Sequence, residues 1–353
     1  MTVHFANGRV KLLGSGSMLP GERIDNEHLF SGIEKQCGKA VARKAALISR
    51  RLGIKSRHFC RAKEGGISAP EESAPQLCVR AINAALSDSK QHSKLDYLIG
   101  HTTSPETLLP PNIAWVAEQL EHEGPYMELR QACTGFANAL QIAIPMLAND
   151  ASMQSIAIVG SEVGSIYFDL SADFIDREQL VNYVQMGDGA GSVILGPDDE
   201  SDNSIISDAY IGHIGNGKAP GFFLEGGGSG DVHCKLGLPV FRHNVSEVRE
   251  QGASLFIKGV ESVLSRGYSL DDFAYILPHQ VNGHLGRLLS EHLHVPEERI
   301  VVDADKLGNL GSAAIWVSLD RLRQSGRLKK GDKVLVLGAE ATKYLYGGFV
   351  FHY

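Results

Sequence analysis

DYLIGH (residues 96–101) and AYILPH (residues 274–279) stand 178 positions apart, and so do IAIVGSE (156–162) and VLVLGAE (334–340). Each has the form of a buried strand running into a turn: a short apolar run, rich in branched residues, closed by small or polar ones. Between the paired strands each half carries a small-residue turn followed by a helical pattern, ACTGFANALQIAIPML in the first and GNLGSAAIWVSLDRL in the second. Cys133 and Asn309 follow the paired His101 and His279 by 32 and 30 residues. An ordered series of four elements at one offset reads as two copies of a single α/β unit. The expected halves are residues 1–197 and 198–353, with the seam in GPDDESDNS (196–204), just after the apparent strand GSVIL. Such a duplication places function where the halves meet, and here it would bring the two small-residue turns together.

Bulk composition narrows the class. A chain of 353 residues, 43% hydrophobic and 21% charged, is ordinary globular material and too long for one simple core. Thirty-nine glycines against thirteen prolines suit many tight strand–helix turns. A net charge of -7 excludes a nucleic-acid partner of the usual basic-faced kind but leaves room for an acidic carrier protein docking on a local basic patch. No run approaches the roughly eighteen apolar residues a membrane span needs, and the first residues lack a signal-peptide core. The five cysteines (Cys37, Cys60, Cys78, Cys133, Cys234) are odd in number and follow no CxxC spacing. Neither a disulfide framework nor a metal site is expected, and a cytoplasmic location is.

Three turns carry chemistry. In QACTGF, Cys133 precedes a helix with apolar residues at Phe136, Leu140, Ile144 and Leu147. A cysteine at a strand-to-helix turn meets backbone N–H groups and the positive end of the helix dipole, which favour a thiolate. That suits a nucleophile for thioester chemistry; a buried structural thiol is the alternative. In LPHQVN, His279 follows its strand directly, at the carboxyl end where α/β folds assemble sites. It could exchange a proton or donate to an oxyanion; it could equally be structural, as His101 is read to be. In GNLGSAA, Asn309 between glycines suits a tight turn, and its amide could also donate to a developing oxyanion without titrating.

Cys in AC-x-GF, His in PHQ-x-N and Asn in GN-x-x-SAA, in this order, resemble the signature of the ketoacyl synthase III family of condensing enzymes. The resemblance covers nearly the whole chain, from GSGSMLPGERIDN through RRLGIKSRHF, TTSPETLLPP and MGDGAGSVIL to GNLGSAA. It implies a five-layered αβαβα thiolase-like fold, a homodimer, no metal or redox cofactor, and acyl-CoA or acyl carrier protein thioesters as substrates. It further implies that Cys133 takes an acyl group. His279 and Asn309 then bind a malonyl thioester, and the enolate left by CO2 loss attacks the acyl-cysteine to give a 3-oxoacyl product. Two other readings keep the same residues: an acyltransferase that forms no C–C bond, and a non-catalytic partner subunit.

The chain departs from the family pattern in places. Leu47 stands where the family stacks a tryptophan on adenine. His284 replaces an arginine implicated in carrier docking, with Arg287 one turn later, so Asn282 and Arg287 are the expected donor-side contacts. Leu109 replaces a bulky residue that reaches across the dimer to limit the acyl pocket. The C-terminal glycine loop reads GAEATKYLYGG (338–348), about three residues longer than usual, placing Ala339 and Glu340 where glycines are expected. FFLEGGGSGD (222–231) lacks the ending of a phosphate loop and reads as a flexible surface loop.

Overall fold

The computed structural model describes residues 3–61, 72–89, 94–171, 175–200, 203–230, 232 and 239–353. Cys234, and Ser201, Asp202 and Asp231 from the seam and glycine-rich stretches, lie outside them. The first half contributes strands β1 (Val10–Met18), β2 (Tyr97–Thr102), β3 (Tyr126–Leu129), β4 (Ile156–Glu162) and β5 (Gly189–Gly196). The second contributes β6 (Ile205–His213), a hairpin of β7 (Phe222–Glu225) and β8 (Val240–His243), then β9 (Tyr275–Pro278), β10 (Lys333–Glu340) and β11 (Leu345–His352). Apart from the hairpin, they join in the order β9-β10-β11-β6-β1-β5-β4-β2-β3.

The repeat seen in the sequence is a repeat of pairing. In one half β2 runs parallel to β4, while β4, β5 and β1 alternate in direction. In the other, β9 runs parallel to β10, while β10, β11 and β6 alternate. Register is kept as well: Tyr97 faces Ile156, and Tyr275 faces Val334. The two wings meet edge to edge where Val10 and Lys11 lie opposite Ile206 and Ile205, and where the short strand His4–Phe5 pairs with β6.

Both faces of each wing are covered, so central strands such as β4 and β5 are buried along their whole length rather than alternating with exposed polar residues. Side chains still alternate between faces. Ile156, Ile158, Val334 and Val336 point into one shared central core. Their neighbours Ala157 and Val159 face an outer layer holding helices α2 (Ala74–Ser89) and α3 (Asn112–Gln119). On the other side Leu335 and Leu337 face helices α6 (Val245–Leu264) and α7 (Leu285–Leu293). Between the wings lie α4 (Gly135–Asn149) and α8 (Ala314–Gln324). The layers run helix, sheet, helix, sheet, helix, which is the five-layered thiolase fold. In chain order, α1 (Lys39–Leu52) and α5 (Arg177–Gln185) complete the set used below. Among the described residues no helix is long and apolar enough to cross a membrane.

The central layer is knit by aromatic contacts. The Phe136 ring meets Trp316 edge-on at 5.7 Å and Phe349 at 5.9 Å, joining α4, α8 and β11. His101 is buried there: its Nε2 accepts a hydrogen bond from Trp316 Nε1 at 3.1 Å, and burial pushes its pKa down to about 3. A side chain at Gly135 or Gly160 would strike the His101 ring, within 2.6 and 2.5 Å, so both glycines are needed for close approach. Replacing Phe136 with alanine should cost about 3–5 kcal/mol, by analogy with other large-to-small core changes. Urea unfolding of wild type and variant measures it; a loss below about 1 kcal/mol would contradict this picture of the core.

Candidate active site

The sequence placed Cys133, His279 and Asn309 far apart, and the fold brings all three to the wall of one cavity of about 790 Å³. Cys133 stands one residue before Thr134, the residue that starts α4. His279 follows β9, its backbone N–H bonded to Leu337 O at 2.7 Å. Gln280 anchors the turn that carries the histidine. Its amide donates to Pro278 O (2.7 Å) and Val301 O (3.0 Å), and its oxygen accepts from the N–H groups of Asp303 and Ala304.

Asn309 is fixed from both sides. Its N–H donates to Gln185 O at 2.8 Å and its carbonyl accepts from Gly187 N at 3.0 Å. Its side-chain oxygen accepts from Gly311 N at 2.9 Å. A backbone N–H can only donate, so the atom facing it is the oxygen and the amide NH2 is left to serve the cavity. Gln185 also donates from its side chain to Val281 O at 2.8 Å. This one residue at the end of α5 therefore ties the histidine turn to the asparagine turn. In the sequence nothing but its place before MGDGAGSVIL marks it.

Electrostatically, neutral donors and the carboxylates of Glu340 and Glu162 surround the cysteine, and Arg130 and Glu225 also line the cavity. Burial pushes the His279 pKa down to about 4, so the imidazole is neutral at ordinary pH. Its buried Nδ1 has no partner among the described residues. A lone pair is the less costly group to leave unmatched, so the proton belongs on Nε2, making that nitrogen a donor. The Cys133 thiol is pushed well above its ordinary pKa by burial first, then by the charges of Glu340 and Glu162. The thiolate expected from the helix dipole is therefore opposed, and the resting group is the thiol.

The two glutamates are equivalents under the 178-residue repeat. Glu340, at the end of β10, crosses to the first half and accepts from Thr134 N (3.0 Å) and Thr134 Oγ1 (2.7 Å), with Thr342 Oγ1 on its other oxygen. Glu162, at the end of β4, crosses the other way and accepts from Ser312 N (3.2 Å) and Ser312 Oγ (3.0 Å). Its second oxygen takes Thr103 Oγ1 (2.7 Å) and Ser104 Oγ (2.6 Å). Glu340 draws notice in the sequence because it interrupts a glycine loop; Glu162 does not, although the aligned IAIVGSE and VLVLGAE contain the signal. The longer C-terminal loop asks nothing unusual of Ala339 or Glu340: the non-glycine residue at positive φ is Tyr344, at 59°. Gly215 and Gly221 leave room for the loop, since a side chain at either would strike Lys343 O or Tyr344 Oη.

The other expected contacts fall elsewhere. Leu109 is 86% exposed, and it is the neighbouring Leu108 that reaches the cavity wall. Asn282 accepts from His284 N and precedes α7, while Arg287 is exposed and paired with Glu291 at 2.8 Å; neither lines the cavity. Leu47 is exposed on α1. Only the first four residues of FFLEGGGSGD need correction as a surface loop: Phe222–Glu225 is the strand β7, paired with β8, and lines the cavity, while Gly227–Gly230 are exposed. The apolar face of Phe222, stacked on Phe241 at 4.8 Å, is what a solvent-facing loop would not retain.

A duplicated αβαβα fold with a cysteine, a histidine and an asparagine on one interdomain cavity defines the thiolase-fold condensing enzymes as a class. Residues 127–213 match the family model for 3-oxoacyl-[acyl-carrier-protein] synthase III, and residues 264–353 that for its C-terminal region. Together the two matches cover just over half of the chain. A beta-ketoacyl-[acyl-carrier-protein] synthase III of Rickettsia felis is 29% identical over 347 residues, covering 94% of this chain and 96% of the relative. Among solved structures, AbyA1, a tetronic acid condensing enzyme, superposes with a TM-score of 0.84 at 24% identity, covering 98% of this chain and all of that one. The 3-oxoacyl-(acyl carrier protein) synthase III of Pseudomonas aeruginosa superposes with a TM-score of 0.80 at 23% identity over 98% of each chain. The chain belongs to the 3-oxoacyl-[acyl-carrier-protein] synthase III family.

Glu340→Gln removes a charge beside Cys133 while keeping an acceptor for Thr134. The pH profile of Cys133 alkylation by iodoacetamide should shift to lower pH, because a nearby like charge that disfavours the thiolate is gone. An unmoved profile would show that the Glu340 charge does not reach the sulfur.

Proposed function

We propose that this chain performs decarboxylative Claisen condensation, with Cys133, His279 and Asn309 as its catalytic residues. The observation that carries the reading is the convergence of the three on one cavity, with a neutral imidazole and an oriented amide as the two donors. Cys133 accepts an acyl group from an acyl-CoA or acyl carrier protein thioester. The raised pKa of the thiol means that its proton leaves as the sulfur attacks, rather than beforehand, and ends on the CoA or carrier thiol that departs. A malonyl thioester then places its carbonyl oxygen against His279 Nε2 and Asn309 Nδ2. Charge develops on that oxygen as CO2 departs, and two fixed donors stabilise it most where it is greatest. The enolate carbon attacks the acyl-cysteine carbonyl, the thiolate leaves, and a 3-oxoacyl thioester is released.

This reading calls for no metal or redox cofactor. It takes residues 1–197 as the half that supplies the nucleophile and 198–353 as the half that supplies the donors. It also takes the active species as a homodimer, which the exposed apolar tip at Leu108 and Leu109 supports.

The test is mass measurement of the intact protein after incubation with a panel of acyl thioesters, followed by malonyl-carrier protein. Wild type should gain one acyl mass that Cys133→Ala does not, and should then release CO2 and a 3-oxoacyl product. Adduct formation without CO2 would favour simple acyl transfer, and no adduct would sink both. His279→Ala or Asn309→Ala should slow decarboxylation by about 10²–10³-fold, the usual cost of one oxyanion donor, with a smaller loss in self-acylation. Because His279 is protonated only near pH 4, single-turnover decarboxylation should stay flat from about pH 8 to about pH 5. A fall with a midpoint near 6.5, the ordinary histidine value, would contradict the neutral-donor role.

A further inference from the structure

The wall of the cavity contains a polar station that the condensation itself does not use. Asn182, on α5, lines the cavity and is only 1% exposed. It lies three residues before Gln185, whose carbonyl holds Asn309, so a rise of about 4.5 Å along the helix axis separates the two levels. Its side-chain oxygen lies 3.2 Å from Nδ1 of His243, which lines the same cavity from β8. Its buried Nδ2 has no partner among the described residues. Around the pair the wall is apolar: Phe222, Leu224, Phe241 and Met186.

One unmatched polar atom survives either way of assigning the pair. If His243 carries its proton on Nδ1 it donates to the Asn182 oxygen, and the amide NH2 is left over. If the imidazole nitrogen instead accepts, the amide is turned to donate to it, and the oxygen is left over. Leaving such a group dry costs about 1–3 kcal/mol. A plain hydrocarbon chain filling this cavity would impose that cost, whereas a hydroxyl could either accept or donate. Charged groups suit the place poorly. Asn182 is uncharged, burial holds the His243 pKa below its ordinary value, and Glu178 accepts from the His243 backbone N–H at 3.4 Å, placing a carboxylate nearby.

We infer that Asn182 and His243 form a specificity station for a neutral hydroxyl-bearing acyl group, so that the preferred acyl donor is a hydroxylated chain rather than a saturated one. The inference rests on the acyl-cysteine reading above and specifies what that cysteine carries. A site built to hydrogen-bond a hydroxyl rejects the analogue lacking it far more strongly than an apolar site rejects an added hydroxyl.

The experiment compares self-acylation of the full-length protein by four- to six-carbon acyl-CoA thioesters with a single hydroxyl at each successive carbon, each against its unsubstituted parent. At one position the hydroxylated donor should exceed its parent in kcat/KM by tenfold or more. In Asn182→Leu, which keeps size and removes the amide, that ratio should collapse toward one or invert; His243→Phe should do the same. Acyl adduct formation from the parent donor shows that each variant retains its site, and Asn182→Ala serves if the leucine variant does not fold. A parent that outruns every hydroxylated partner in wild type overturns the station alone, as does a ratio that the substitutions leave unmoved. If no donor of either kind acylates Cys133, the underlying reading fails and the station falls with it.

Discussion

Glu162 and Glu340 each leave the end of a strand in one half and finish at the start of a helical turn in the other, where backbone N–H groups of Ser312 and Thr134 wait unsatisfied. The first turn of any helix has such orphan donors, and the end of the dipole there favours an anion. Here the donors of each half are met by the carboxylate of the opposite half. The exchange fixes the relative position of the halves at the level of the cavity, because neither helix start is complete without the partner strand. Removing one member of such a buried, charge-assisted pair leaves the other uncompensated, which is typically worth several kcal/mol. The placement of Cys133, one residue before Thr134, is set by that exchange, and so is the turn holding Asn309.

The same arrangement has an electrostatic cost. Two carboxylates close to a sulfur disfavour its thiolate, and the helix dipole that could have favoured it is already occupied by Glu340. The site answers with donors that carry no net charge, a neutral imidazole and a carboxamide. A protected thiol reacts when an acyl thioester is in place and its proton can move, and resists adventitious oxidation or alkylation between turnovers.

Much of this is readable from the amino-acid sequence, for a physical reason. Duplication writes the same strand pattern twice, and the offset that aligns DYLIGH with AYILPH also aligns strand registers and the faces that Ile158 and Val336 present. Cys133, His279 and Asn309 are legible because the turns that carry them are short and bounded by small residues. Asn182, His243 and Gln185 are not, since they lie on a helix and a hairpin strand whose local pattern says nothing about what they face. The hairpin itself is easily misread because glycine content suggests solvent, whereas the Phe222–Phe241 contact that places it over the cavity pairs residues from separate strands.

The hairpin of β7 and β8 lies in sequence between β6 and α6, yet its contacts run to α5 of the first half and to Ala341 beyond Glu340. The cover of the cavity is thus a cassette spliced into one copy of the repeat, between β6 and α6; at the matching place in the other copy, between β1 and α2, a smaller two-stranded sheet pairs Ile24–Asp25 with Ser56–Arg57. Mutational drift or recombination in that cassette can remodel what the cavity accepts while the glutamate exchange and the three reactive turns stay untouched. A lineage built this way can change its choice of acyl group rapidly, under selection on a short contiguous stretch of chain, without having to re-evolve its chemistry.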